Sequence, residues 1–418
     1  MRGAGEAPVD GATVGLTPDA RRRPVLQGRP PRPPAPRLVY VDWLRVVALI
    51  GVFVIHVCSV FDPFDEWHIQ NSERSRYVGE VIVLMAPWIM PLFMLLAGVS
   101  AWYSLLGRGN ARYLRERVLR LLVPLIAGTL LLVPPQVYLE RRLHGQFTGS
   151  LWAFYPHFFD GIYPRGNLSW HHLWFLAHLF GYSLIALPLF RYWQSDRGRG
   201  QLRWLARRCS GPAGLLWLAL PLVLERHLLW WVFRERHMLT SDWSNHAVLF
   251  VAYVYGFALA GEPTLGAAID KHWRGALATA ILTTSLLVIG TWRGIVPAHL
   301  PEPYHPGYLA FWTLYAVGAW ASMASVLAAG RRWLVRETPL VAYGRSAGYA
   351  WYLVHQPVIV AIAFVVVGWR AGVAVKLIVL AVASFLGTLI GGELLGRSEV
   401  MRRAFGLCPT GLSSSNDA

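Results

Sequence analysis

The sequence predicts an all-α integral membrane protein, a polytopic helical bundle with about ten transmembrane helices. Of its 418 residues, 55% are hydrophobic and only 15% are charged, which leaves too little polar surface for a water-soluble domain of this size. Apolar runs of 18 or more residues recur along the chain, and each is long enough to cross roughly 30 Å of hydrocarbon. The basic residues lie between these runs, as topology signals do.

The chain divides into a membrane domain, residues 37–397, and two flanking tails. Residues 1–36 are rich in Pro, Gly and Arg and contain no apolar run, so they are predicted to be a disordered cytoplasmic tail. Residues 398–418 are predicted to form a second cytoplasmic tail. The predicted spans are 40–60, 78–106, 118–138, 170–190, 212–231, 245–262, 274–292, 307–329, 341–367 and 372–395.

The distribution of basic residues predicts the orientation in the membrane. With the amino terminus in the cytoplasm, the cytoplasmic segments carry 26 Lys and Arg residues and the opposite segments carry ten. Both termini are therefore expected in the cytoplasm, and the protein in the cell inner membrane. The net charge of +16 is spread between spans rather than over one face, so the expected partner is the lipid bilayer and not nucleic acid.

Ionisable groups inside a span are costly and therefore mark functional positions. The first span carries Asp42, Arg45 and His56. Eleven helical positions separate Arg45 from His56, which places them on nearly the same face and about 16 Å apart along the axis. The alternatives are a structural histidine that bonds a backbone carbonyl and, for Asp42 with Arg45, a pair at the membrane interface.

Three arginines, Arg115, Arg117 and Arg120, lie at the predicted cytoplasmic mouth of the third span. Basic residues at such a position usually serve to keep the loop on the cytoplasmic side of the membrane. The functional alternative is a phosphate clamp, because guanidinium groups pair with phosphate oxygens in a bidentate manner.

Further imidazoles are predicted toward the outer side of the bundle. In the fourth span His171, Trp174 and His178 have helical spacing and are expected to share a face. His355 in the ninth span lies at a depth similar to that of His56, and His172 or His171 is expected above them. Singly these residues are more often packing groups, but together they indicate a polar chamber that opens outward.

At these positions the chain resembles the acyltransferase 3 family of membrane proteins, over most of its length after the tail. Five stretches of sequence carry this resemblance: DWLRVVALIGVFVIH, MPLFMLLAGVSAW, Arg117–Val–Leu–Arg120, HHLWFLAHLF and YLVHQPV. No single stretch is specific to the family, but their order and spacing together are. Among the branches of the family, the chain is most like the periplasmic glucan succinyltransferases.

The resemblance implies an O-acyltransferase that moves an acyl group, acetyl or succinyl, from cytoplasmic acyl-CoA to a hydroxyl of an extracytoplasmic glycan. It makes His56 the catalytic residue together with Arg45, and it assigns Arg117 and Arg120 to the CoA. The family usually has Ser-Gly where this chain has Ala97–Gly98, so no role is assigned to position 97.

The expected mechanism needs acyl-CoA, either acetyl-CoA or succinyl-CoA, and no metal. Arg115 joins the predicted donor-binding group, whereas His172, Trp174 and His355 are expected on the acceptor side. His56 acts either as a general base toward the acceptor hydroxyl or through an acyl-histidine intermediate. The main alternative function is a secondary transporter of a small polar solute or glycan, which would consume no thioester.

Overall fold

The computed structural model describes residues 38–233, 241–294 and 305–407, and the predicted tail 1–36 lies outside them, as do residues 408–418. Every regular segment of the described residues is helical. The helices are α1 (Val39–Ser59), α2 (Arg76–Leu105), α3 (Asn110–Arg117), α4 (Val123–Leu131), α5 (Pro134–Leu143), α6 (Leu151–His157), α7 (Trp174–Ile185), α8 (Leu187–Gln194), α9 (Asp196–Cys209), α10 (Pro212–Trp217), α11 (Leu220–Leu228), α12 (Trp243–Gly261), α13 (Pro263–Trp292), α14 (Pro306–Trp333), α15 (Pro339–Val366), α16 (Val373–Arg397) and α17 (Glu399–Ala404). A π-helical turn, Val118–Leu122, joins α3 to α4, and a 3₁₀ turn, His171–Leu173, precedes α7.

Eight helical segments of the described residues are long and apolar enough to cross a membrane: α1, α2, the run Asn110–Leu143, and α12 to α16. A ninth crossing results if α7 and α8, which are bent by 53° at their junction, count as one span. On α16 a row of apolar side chains from Ile378 to Ile390 is exposed, which suits contact with lipid rather than water. The predicted all-α membrane bundle is confirmed.

The predicted fifth span, 212–231, is divided between two short helices rather than formed by one continuous helix. Its residues form α10 and α11, which are separated by a turn and are each far shorter than the roughly 20 residues that a crossing needs. Proline lies in the first turn of both helices, where it favours a new start. Two charged residues of this segment, Glu225 and Arg226, are buried in the bundle.

Helices α2 and α12 pack in close backbone contact. A side chain at Gly98 would overlap the carbonyl oxygen of Tyr253, and one at Gly256 would overlap that of Leu95. The two glycines thus let the backbones touch, as small residues do between membrane helices. This contact gives the Ala97–Gly98 motif a structural role at its second position.

Helix α1 lies inside the bundle, between α2, α14 and α15. Leu44 packs at Gly330 of α14, and Val46 packs at Gly344 of α15. Val47 and Ile50 on the outer side of α1 are exposed, whereas Asp42, Arg45 and His56 face neighbouring helices or the space between them.

Candidate active site

A large cavity of about 1650 Å³ follows α1 through the bundle. Asp42 near the beginning of α1 and Ser59 at its end both line the cavity. At 1.5 Å per residue these positions are about 25 Å apart, which is most of the thickness of a hydrocarbon core. The cavity therefore brings groups from both ends of α1 to one continuous space.

Arg45 lines the cavity near the N-terminal end of α1. Its guanidinium pairs with Asp42 at 3.3 Å and donates a hydrogen bond to the hydroxyl of Ser100 on α2. Asp42 also pairs with Arg345 of α15 at 3.7 Å, and Arg345 pairs with Glu337 at 2.9 Å. Arg45 and Arg345 therefore flank the carboxylate of Asp42 on the cavity wall, and Glu337 pairs with Arg345 in addition.

His56 and His355 are in contact at a point about 16 Å from Arg45 along the axis of α1. Nδ1 of His56 lies 2.9 Å from Nε2 of His355, and Nδ1 of His355 lies 2.7 Å from the carbonyl oxygen of Tyr352. A carbonyl oxygen only accepts, so Nδ1 of His355 carries a proton, and in the neutral ring its Nε2 accepts. Nδ1 of His56 must then donate, which places the lone pair of neutral His56 on Nε2.

His172 and Trp174 also line the cavity near this imidazole pair. Nε2 of His172 donates to the carbonyl oxygen of Leu353 at 3.0 Å, so its lone pair lies on Nδ1, which is buried and has no hydrogen-bond partner among the described residues. The rings of His172 and His355 are 5.3 Å apart. Three imidazoles that the sequence singled out therefore share one part of the cavity.

The three arginines of the predicted phosphate clamp are separated. Arg117 lines the cavity, and its guanidinium lies 4.7 Å from the ring of Tyr113 with a buried Nε that has no partner among the described residues. Arg115 and Arg120 are exposed and are not among the residues that line this cavity. The π-helical turn after Arg117 is the physical reason, because its wider turn rotates Arg120 away from the face that i and i+3 share in an α-helix.

A second polar cluster lines the cavity at the C-terminal end of α1, and sequence reasoning missed most of it. Nδ1 of His68 lies 3.0 Å from Oε2 of Glu140, and the hydroxyl of Tyr163 donates to Oε1 at 3.2 Å. Burial, together with the negative charge of Glu140, raises the pKa of Tyr163, so the phenol keeps its proton. The members come from separate loops and helices, and no spacing in the sequence connects them.

His171 belongs to this cluster. The sequence predicts that it shares a face with Trp174 and His178, but the structure does not place it there. It lies in the 3₁₀ turn with φ of 42°, and its ring is 4.1 Å from that of His68. His178 instead stacks on His246 at 4.4 Å. The left-handed backbone at His171 interrupts the helical periodicity on which the prediction depended.

The fold and the cavity define an integral membrane protein with a large cavity inside its helical bundle. The chain belongs to the acyltransferase 3 family, whose acyltransferase domain matches residues 38–396, well over half of its length. It is therefore a membrane acyltransferase.

Curated relatives at low identity carry the name Glucans biosynthesis protein C. The protein of Salmonella schwarzengrund (strain CVM19633) is 21% identical over 337 residues, which cover 78% of this chain and 83% of the relative. The protein of Salmonella paratyphi A (strain ATCC 9150 / SARB42) is 22% identical over 339 residues, with the same coverage. No solved structure gives a significant match.

Proposed function

We propose that the protein transfers an acetyl or succinyl group from acyl-CoA in the cytoplasm to a hydroxyl of a glycan outside the inner membrane. The observation that carries the proposal is the cavity along α1, which is lined by arginines at one end and imidazoles farther along. Such a passage lets a donor and an acceptor meet from opposite sides of the bilayer. The name of the curated relatives supports a glucan or similar glycan as the acceptor.

The donor is assigned to the N-terminal end of α1. Arg45, Arg117 and Arg345 line the cavity there, and guanidinium groups suit the phosphates of CoA. The excess of basic residues on this side supports its cytoplasmic location and both termini in the cytoplasm. A thioester on the extended pantetheine arm then reaches toward His56.

In the proposed reaction, Nε2 of His56 takes the proton of the acceptor hydroxyl while the oxygen attacks the thioester carbonyl carbon. The new C–O bond forms, the C–S bond breaks, and the proton passes to the departing thiolate of CoA. His355 holds His56 in the tautomer that this role needs, because it accepts from Nδ1. His355 is thus a positioning residue.

Arg45 is too far from His56 to stabilise charge on the reacting carbonyl. Their backbone positions differ by about 16 Å along α1, whereas an oxyanion donor acts at about 3 Å. The position of Arg45 instead suits a role in holding the donor at the N-terminal end of the cavity.

The test is a transfer assay with radiolabelled acyl-CoA, purified protein in lipid nanodiscs and envelope glycan as acceptor. We expect His56→Ala to abolish labelling while its yield and thermal unfolding stay unchanged, and His157→Ala, a change at an exposed imidazole at the end of α6 and outside the cavity lining, to retain it. Wild-type transfer by His56→Ala would refute the role of His56. A transporter would leave the thioester intact, so hydrolysis or transfer of label also separates the two functions.

A further inference from the structure

We propose that His68, Glu140 and His171 bind a divalent transition-metal ion of the zinc class at the C-terminal end of α1. One nitrogen of each imidazole and one carboxylate oxygen all lie within 4.8 Å of one another. His68 comes from the loop after α1, Glu140 from α5 and His171 from the turn before α7. Three separate elements therefore direct metal-binding atoms to one point.

The donor set fits the chemistry of zinc. Two imidazoles and one carboxylate form a common three-ligand set for this ion, and four-coordinate zinc then keeps one position open. All three side chains line the cavity. The open position would consequently face the cavity and accept an oxygen atom of a molecule bound there.

The unpartnered nitrogen of His171 points to a missing ligand. Its Nε2 is buried and has no hydrogen-bond partner among the residues that the structure describes, while Nδ1 lies 3.0 Å from Oγ of Ser169. A metal-binding imidazole commonly bonds a neighbouring group through its other nitrogen in this way. The backbone N–H of His171 also donates to Ser169 at 3.0 Å, so the left-handed turn is held in place.

Glu140 offers one oxygen to the site. Its Oε1 accepts from Tyr163 and lies 3.6 Å from Nη1 of Arg141, whereas Oε2 faces Nδ1 of His68 at 3.0 Å. An ion would bind in place of the hydrogen that joins Oε2 to His68. The positive charge of Arg141 opposes the ion, but this guanidinium is bonded to Asn167 and to the carbonyl oxygen of Gly166.

The rival interpretation is a metal-free hydrogen-bonded cluster in which protonated His68 pairs with Glu140. It explains their short contact but leaves Nε2 of His171 buried without a partner. The metal site accounts for both observations. It also departs from the expectation, drawn from sequence, of an enzyme that needs no metal.

The first experiment measures bound metal. Protein purified through an epitope tag rather than polyhistidine is incubated with zinc chloride, separated from free ion by gel filtration and analysed by mass spectrometry for zinc. We expect about one ion per chain in the wild type and in His157→Ala, whose imidazole at the end of α6 pairs with Asp160. His171→Asn, which suits the left-handed backbone, and Glu140→Gln should lose it. Equal zinc in all four proteins, or none in the wild type, would overturn the proposal.

The second experiment needs no variant and so does not depend on how the variants fold. Cobalt(II) replaces zinc in such sites, and in a tetrahedral environment it shows strong visible absorption. We expect this spectrum from cobalt-loaded wild-type protein and its loss on adding zinc. A weak spectrum typical of six-coordinate cobalt would count against the site. Because neither donor nor acceptor is present, the outcome does not depend on the proposed acyl transfer.

Discussion

At the scale of single residues, the direction of one hydrogen bond determines which atom of His56 can accept a proton. The backbone carbonyl of Tyr352 fixes the proton on Nδ1 of His355, and His355 in turn orients His56. The same logic of a positioned imidazole applies to serine hydrolases, where a third group holds the base in its working tautomer. The role of His355 can therefore be tested separately from that of His56.

Replacing His355 should impair turnover and leave donor binding intact. We expect His355→Ala to lower kcat by roughly 10²-fold, the scale of general-base assistance, with an unchanged KM for acyl-CoA. His355→Gln, whose side-chain oxygen can accept from Nδ1 of His56, should recover part of the loss. Steady-state kinetics of the three proteins provide the measurement. A change in KM alone would instead place His355 among the binding residues.

Arg117 and Arg120 should differ, although both belong to the predicted phosphate clamp. Arg117 lines the cavity and Arg120 does not, so Arg117→Ala removes a charged contact worth about 1.5–3 kcal/mol. We expect at least a tenfold rise in KM for acyl-CoA in Arg117→Ala. Arg120→Ala serves as the matched control and should change KM much less. Equal effects would mean that the phosphates extend beyond the cavity to the exposed face.

At the scale of elements, the contact with α12 helps to hold α2, which carries Ser100, next to α1. Glycine at 98 and at 256 permits backbone contact that no other residue allows. In lipid, helices associate through close packing rather than through the hydrophobic effect, so loss of this contact has no ready compensation.

Gly98→Leu should destabilise the folded bundle because its side chain would meet the backbone of Tyr253. Overpacking of this kind costs about 1–3 kcal/mol, and the variant should aggregate at a lower temperature in a detergent-based thermal assay. Gly275→Leu is the control, since an added Cβ on α13 there meets nothing within 4 Å. Equal melting of the two variants would show that the α2–α12 contact tolerates separation.

At the scale of the whole molecule, the cavity is a product of several crossings rather than of one motif. Helices α1, α2 and α15 supply much of its wall, and the loops after α1 and α6 contribute polar groups at its far end. Pro87 and Pro91 of α2 line it as well. Proline inside a helix lacks the backbone N–H that would bond the preceding turn, so this part of the wall has two gaps in its helical hydrogen bonding.

Blocking the cavity between its two ends should stop transfer without unfolding the protein. Gly348 of α15 lines the cavity, and an added Cβ would meet only Leu49, at an ordinary distance of 3.6 Å. We expect Gly348→Trp to reduce acyl transfer by more than tenfold, with unchanged thermal stability. Gly275→Trp, on an exposed face of α13, should retain activity. Undiminished transfer by Gly348→Trp would show that the donor takes another path.

The sequence by itself determined the membrane class, most of the spans and the alignment of Arg45 with His56, because hydrophobic length and helical pitch are local properties. Prediction from the sequence failed where the backbone departs from a regular α-helix. The turn between α10 and α11 divides the predicted fifth span, the π-helical turn separates Arg120 from Arg117, and the left-handed backbone removes His171 from its predicted face.

Only the tertiary structure decided which distant residues meet. His355 bonds His56 across 299 positions of sequence. Glu140 of α5 lies next to His68 of the loop after α1 and His171 of the turn before α7. These contacts depend on how helices pack against one another, and a single chain carries no periodicity that encodes them. The sequence could therefore place His56 and His355 within predicted spans, while the packing of the bundle determined what each one touches.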